Sequence, residues 1–164
     1  MRNLLYIIFL LLIGSSCTTN YYVVRHADRL DNSANSPLSP AGFQRANALR
    51  DTLASKGINL VFASTFQRTQ QTAQPTATAN GLTMNLYSPD TTAGLVTRLR
   101  KINGKNILVA GHSDNVPVIV QGLSGQSIPA IASNDFDNLF IIKVSKFFGV
   151  TRRLIKTTYG TPSP

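Results

Sequence analysis

Glutamate is missing from this chain of 164 residues: seven Asp are its entire acidic complement, set against 16 Lys and Arg, and the net charge is +9. So few carboxylates make no convincing cluster for a divalent cation, and no metal is expected. Cysteine is nearly missing too. Cys17 stands alone, which excludes an intrachain disulfide. Long apolar runs are short: Leu4–Ile13 is unbroken, but a bilayer span takes roughly 20 residues, so a permanent transmembrane helix is excluded there. The basic clusters Arg98, Arg100, Lys101 and Arg152, Arg153, Lys156 have no aromatics interleaved, unlike a single-strand nucleic-acid platform, so no specific nucleic acid is expected as a partner. The cationic excess still attracts anionic membranes and polyanions without specifying one. There is no internal repeat, and the length suits one domain.

What is present is a repeated pattern of buried strands that end in chemistry. Tyr21–Val24 is a run of four apolar residues followed at once by Arg25, His26 and Asp28. Such a run reads as a strand of a parallel sheet, covered on both faces. Ile107–Ala110 repeats the pattern before Gly111, His112 and Ser113, and Asn59–Ala63 precedes Ser64 and Arg68. Open α/β sheets bind ligands beyond the carboxyl ends of their strands, so two histidines and two arginines are expected to collect there. Ser39–Pro40 is a helix start, with Phe43, Ala46, Leu49 and Leu53 on one face and Gly57 as the stop. Further helices are read at 67–80, 91–103 and from Asn115, with strands at 82–86, 138–144 and 150–159. Arg68 in the first turn of its helix opposes the helix dipole, a conflict that a bound anion resolves.

Arg25-His26, Leu38-Ser39 with Gly42 and Gln44, Ser64 with Arg68-Thr69 and Gln71-Thr72-Ala73, and Gly111-His112-Ser113 together resemble the histidine phosphatase superfamily, also called phosphoglycerate-mutase-like. The resemblance runs from about Tyr21 to Tyr159, and Asp135–Val144 is similar to the last-strand entry of small members with an RHAE-type opening. It implies an α/β fold, a three-layer α/β/α sandwich around a mostly parallel sheet with an antiparallel C-terminal strand. It also implies a metal-independent, cofactor-free phosphatase acting on a phosphomonoester or related phosphoryl compound. His26 would attack phosphorus and carry a phosphohistidine, which water hydrolyses. Arg25, Arg68 and His112 would neutralise the phosphoryl oxygens, and Ser113 and Asn32 fall where substrate contacts are implied. A silent phosphate-binding domain is the alternative from another class, and a phosphomutase a further one, although the short chain lacks room for long insertions.

The proton donor to the leaving group is the departure from that pattern. Many relatives use Glu, and here two aspartates compete: Asp28 beside the nucleophile and Asp90 after the third strand. Asp90 also reads as an ordinary helix N-cap. At the amino end, residues 1–17 read as a signal peptide whose Gly-Ser-Ser-Cys ending resembles a lipoprotein cleavage site, with Gly14 standing where a larger aliphatic residue is usual. Cys17 is then the lipidated N-terminus, 18–20 a short tether and 21–160 the phosphatase domain. The protein is thus expected to be exported and membrane-anchored, at the periplasmic face of a bacterial envelope, held there by acyl chains and basic surface.

Overall fold

The computed structural model describes residues 18–146 and 149–163. Residues 1–17, read from the sequence as a signal peptide ending at Cys17, lie outside the described residues. Six strands form one sheet in the order β3-β2-β4-β1-β5-β6. They are β1 (Thr18–Arg25), β2 (Leu60–Ser64), β3 (Met84–Tyr87), β4 (Asn106–Gly111), β5 (Asn138–Ser145) and β6 (Thr151–Thr158). The first four are mutually parallel. β5 runs antiparallel to β1, and β6 antiparallel to β5.

Four helices cover the sheet: α1 (Pro40–Leu53), α2 (Gln67–Ala79), α3 (Thr92–Arg100) and α4 (Asn115–Ser124). Alternate strand residues face opposite ways, so Tyr21 and Val23 join Leu95, Leu99, Ile119 and Leu123 from α3 and α4. Tyr22 and Val24 join Leu49, Leu53, Ala73 and Ala77 from α1 and α2 on the other side. This is the three-layer arrangement read from the sequence. Each large apolar side chain fully buried in these layers contributes roughly 1.5–3 kcal/mol.

Ser39 caps α1 as expected, its hydroxyl accepting from the Gly42 N–H, with Pro40 in the first helical position. α1 is rolled relative to expectation. Phe43 is 45% exposed, while Gly42 and Arg45 are buried. Gly42 is the cause, because a Cβ there would lie 2.1 Å from the Asp28 carbonyl oxygen. Only glycine lets the helix approach the end of β1 so closely, and that approach brings Arg45 against Asp28.

The tether expected at 18–20 is instead part of β1. Thr18, Thr19 and Asn20 pair with Ser145, Val144 and Lys143, and Thr19 is buried. Its hydroxyl bonds the Ile102 carbonyl and the Gly104 N–H, two groups a sequence reading had no means of bringing there. Among the described residues no helix is long and apolar enough to cross a membrane.

Candidate active site

The carboxyl ends of β1, β2 and β4 converge on a cavity of about 450 Å3. Arg25 and His26 enter it from β1, Phe66 and Arg68 from the start of α2, and His112, Ser113 and Asp114 from the turn after β4. Sheet hydrogen bonding continues into the site, where the His26 N–H donates to the Gly111 carbonyl at 2.8 Å. The next residue is anchored from α2: Ala27 N–H donates to Thr72 Oγ1, whose own hydroxyl donates to the Arg68 carbonyl. Gly111 must be glycine here, since a Cβ would sit 2.5 Å from Asn115 Oδ1, the atom that accepts from the His112 N–H.

His26 is buried and its Nδ1 lies 2.8 Å from the Ala27 carbonyl. A carbonyl only accepts, so Nδ1 carries the proton, and in the neutral ring Nε2 carries the lone pair. Burial lowers the imidazole pKa from 6.5 to about 3, with Arg25, His112 and Arg68 adding to the effect and the Ala27 hydrogen bond opposing it. His112, 5.4 Å away between ring centroids, is lowered to about 4 by burial and by Arg68. Its Nε2 meets Ser64 Oγ at 2.8 Å, and Ser64 Oγ meets Thr69 Oγ1 at 2.7 Å. This buried hydroxyl chain fixes the ring and passes the choice of tautomer to two side chains on β2 and α2.

The arginines are held by different means. Arg25 Nη atoms donate to the Ala132, Ser133 and Asp135 carbonyls, with Phe136 stacked 4.3 Å from the guanidinium. Arg68 donates to the Ala34 carbonyl and lies 4.5 Å over the Phe66 ring. In both, Nε is buried without a partner. Burial lowers each guanidinium pKa, and Arg29 across the cavity pushes both the same way. Positive charge is therefore concentrated where donors remain unsatisfied, an arrangement that suits an oxyanion.

Of the residues singled out in the sequence, Arg25, His26, Arg68, His112, Ser113 and Asp90 line the cavity. Asp90 caps nothing: Ser88 and Thr91 hold the cap positions of the short turn and of α3, and the Asp90 carboxylate accepts from Ser88 Oγ at 3.5 Å. Asp28 does not line the cavity. It is bound by Arg45, 2.7 Å from Nε and 3.5 Å from Nη2, so its proximity to His26 in sequence does not become proximity in chemistry. Asn32 is exposed and likewise not part of the lining, whereas Asn35 three residues on caps α2 by accepting from the Gln67 N–H. Arg29, Phe66 and Ser133 line the cavity without having been singled out. Phe66 carries the one available signal, its position two residues before Arg68. Among the described residues no three His, Cys, Asp or Glu side chains are grouped to hold a metal ion.

Residues 21–88 match the histidine phosphatase superfamily (branch 1), a stretch that includes His26, Arg68 and the strands that carry them. That stretch is similar to the superfamily over rather less than half of the chain. A curated relative, Probable phosphoglycerate mutase GpmB of Yersinia pestis (strain Pestoides F), is 39% identical over 70 residues, 38% of this chain and 33% of the relative. The chain thus matches about a third of the length of that relative. Among solved structures, mycobacterial glucosyl-3-phosphoglycerate phosphatase superposes with a TM-score of 0.66 at 12% identity, over 87% of this chain and all of that one. The protein histidine phosphatase SixA, complexed with tungstate, gives 0.62 at 18% identity over 85% of this chain and 96% of the other. At such identities the superpositions show a shared fold, that of the histidine phosphatases.

Proposed function

We propose that the protein is a metal-independent phosphatase that hydrolyses a phosphomonoester or related phosphoryl compound through a phosphohistidine on His26. The observation that carries this reading is the neutral His26 ring, its Nδ1–H tied to Ala27 so that Nε2 offers a lone pair. Nε2 attacks phosphorus and forms the N–P bond as the P–O ester bond breaks. The leaving oxygen keeps the bonding pair and takes a proton from the Asp90 carboxyl. Water then attacks phosphorus, gives its proton to the Asp90 carboxylate, and the N–P electrons return to His26. Arg25, Arg68, Arg29 and His112 surround the phosphoryl oxygens and stabilise the charge that spreads over them in transit. That neighbours of this fold include phosphatases, one of them solved with inorganic phosphate, supports the substrate class.

Rapid acid-free quenching with an isotopically labelled aryl phosphate should trap an alkali-stable, acid-labile phosphoryl group on the peptide containing His26. Steady turnover with label found elsewhere, or on no residue, would defeat the covalent route. A second reading, an anion-binding domain without turnover, is favoured by the engagement of the Arg25 fork with three loop carbonyls. Phosphate binding in the absence of any aryl phosphate hydrolysis would decide for it.

For location, the reading is an exported lipoprotein acylated at Cys17, supported by the short apolar run before that residue. In a Gram-negative host the chain should fractionate with membranes and incorporate labelled fatty acid, and Cys17→Ser should remove the label. Unlabelled wild-type protein would leave a soluble secreted enzyme in its place.

A further inference from the structure

We infer that the end of the sheet opposite the cavity is a docking face for an anionic lipid bilayer, which holds the active site pointing away from the surface. Four observations carry this. First, β1 enters the sheet at this end with no slack: Thr19 is buried and bonded to the Ile102 and Gly104 backbone, and Asn20 N–H donates to the Lys105 carbonyl. β1 therefore begins at this face, where Thr18 follows Cys17 and the apolar run 4–13 in the chain.

Second, exposed cations ring the start of β1. Lys101 and Lys105 lie on the turn into β4, Lys143 and Lys146 at the end of β5, and Arg152 and Arg153 at the start of β6. Third, their charge is unmatched. Among the described residues the ion pairs are Arg45–Asp28 and, in the last turn of α1, Arg50–Asp51, neither of which uses one of these cations. Lys143 and Arg153 even stand directly opposite each other on neighbouring strands, a pairing of like charges that costs stability unless an anion lies over both.

Fourth, the acids are segregated. Asp28, Asp31, Asp90, Asp114, Asp135 and Asp137 all sit at the cavity end, in the loops after β1, β3 and β4 and before the reversed β5. Only Asp51, already paired with Arg50, lies elsewhere. The molecule is thus charged along its strand axis, with an exposed apolar residue, Val150, among the cations at the positive end. Cations around a strand start that follows an apolar run match an anionic headgroup layer over a hydrocarbon interior. A nucleic acid would satisfy the charge but leaves the apolar segment without a place.

The orientation has a chemical consequence. β1 spans eight residues between the two ends, about 25 Å at roughly 3.3 Å per residue. That exceeds the Debye length of about 8 Å at physiological ionic strength. A substrate carrying phosphate therefore reaches the cavity outside the repulsive potential of the membrane. The inference rests neither on catalysis nor on acylation.

The test is partitioning of the full chain onto phosphatidylglycerol/phosphatidylcholine vesicles relative to phosphatidylcholine alone, a ratio in which the contribution of the apolar segment cancels. Wild type should favour the anionic vesicles, and less so as salt rises. Lys105→Glu should lower the ratio by about fivefold or more, and Lys105→Glu/Lys146→Glu/Arg152→Glu by about a hundredfold. Lys156→Glu, the same charge change toward the other end of β6, should leave it within about twofold. Hydrogen exchange on wild-type protein gives a reading independent of mutant folding: vesicles should slow exchange at 101–105 and 151–153 and leave 112–115 unchanged. Equal loss from Lys156→Glu, indifference to lipid charge, or protection at 112–115 would each overturn the inference. Tighter binding of duplex DNA than of anionic vesicles, with the same protected segments, would overturn it in favour of nucleic acid.

Discussion

The two ends of the sheet use the same residue types to opposite effect. At the carboxyl ends of the parallel strands, Arg25 and Arg68 are packed on aromatic rings and hydrogen-bonded to loop carbonyls, so their charges are desolvated, fixed and aimed at the histidines. At the amino ends, Lys101, Lys105, Arg152 and Arg153 stand in solvent. Burial decides what a positive charge does. In the cavity it lowers neighbouring imidazole pKa values and strengthens each contact with an anion. On the base it is screened and acts only through numbers and a large, flat partner.

The strongest way to break this contrast is at the nucleophile. His26→Ala should reduce turnover of an aryl phosphate by about a thousandfold or more while leaving the thermal midpoint nearly unchanged, because the residue sits at a strand end and contributes reactivity more than packing. Retention of more than about a hundredth of the wild-type rate would remove His26 from the chemistry.

Next comes the pair of aspartates. Asp90→Asn should slow hydrolysis of an alkyl phosphate by about 10²-fold and of a nitrophenyl phosphate far less, since only a poor leaving group needs a proton. Asp28→Asn should show no such selectivity. It leaves the buried Arg45 without its carboxylate, so the expected effect is a loss of roughly 1–3 kcal/mol in denaturant stability. If Asp28→Asn proves selective between leaving groups and Asp90→Asn does not, the assignment is reversed.

Stability against pH sharpens the contrast further. The folded-state pKa values of His26 and His112, about 3 and about 4, lie below the ordinary 6.5. The unfolded chain therefore binds more protons than the folded one between those limits. Stability is full above pH 6.5 and falls as pH drops toward 4, at up to roughly 1.4 kcal/mol per pH unit for each histidine. Urea midpoints measured between pH 7 and 4.5 should show this slope, and His112→Gln should about halve it. A flat profile would mean that the rings are solvated.

The smallest effect lies at the base. Lys143→Thr relieves the like charge facing Arg153 and should raise stability by roughly 0.2–1 kcal/mol at low salt. Added salt or anionic vesicles should erase the gain. A loss of stability would mean that the lysine is already compensated within the fold.

The sequence by itself determined the layers and the positions of the histidines and arginines that line the cavity. Four apolar residues before Arg25-His26 and before Gly111-His112 demand burial on both faces, and Ser39-Pro40 and Gly57 bound a helix through rules that reach only a few residues. For that reason His26, Arg68 and His112 were legible at their strand ends. Tertiary structure alone decided which neighbours those groups meet. Gly42 admits α1 close enough for Arg45 to bind Asp28, 17 residues away, while Asp90 and Asp114 line the cavity. Phe136 reaches Arg25 from a loop more than a hundred residues distant, and the cations of the base come from two separated connections, the turn into β4 and the β5–β6 hairpin. Periodicity and capping act over one turn or one strand, whereas these contacts depend on where the packed sheet returns the chain. No local pattern encodes that distance.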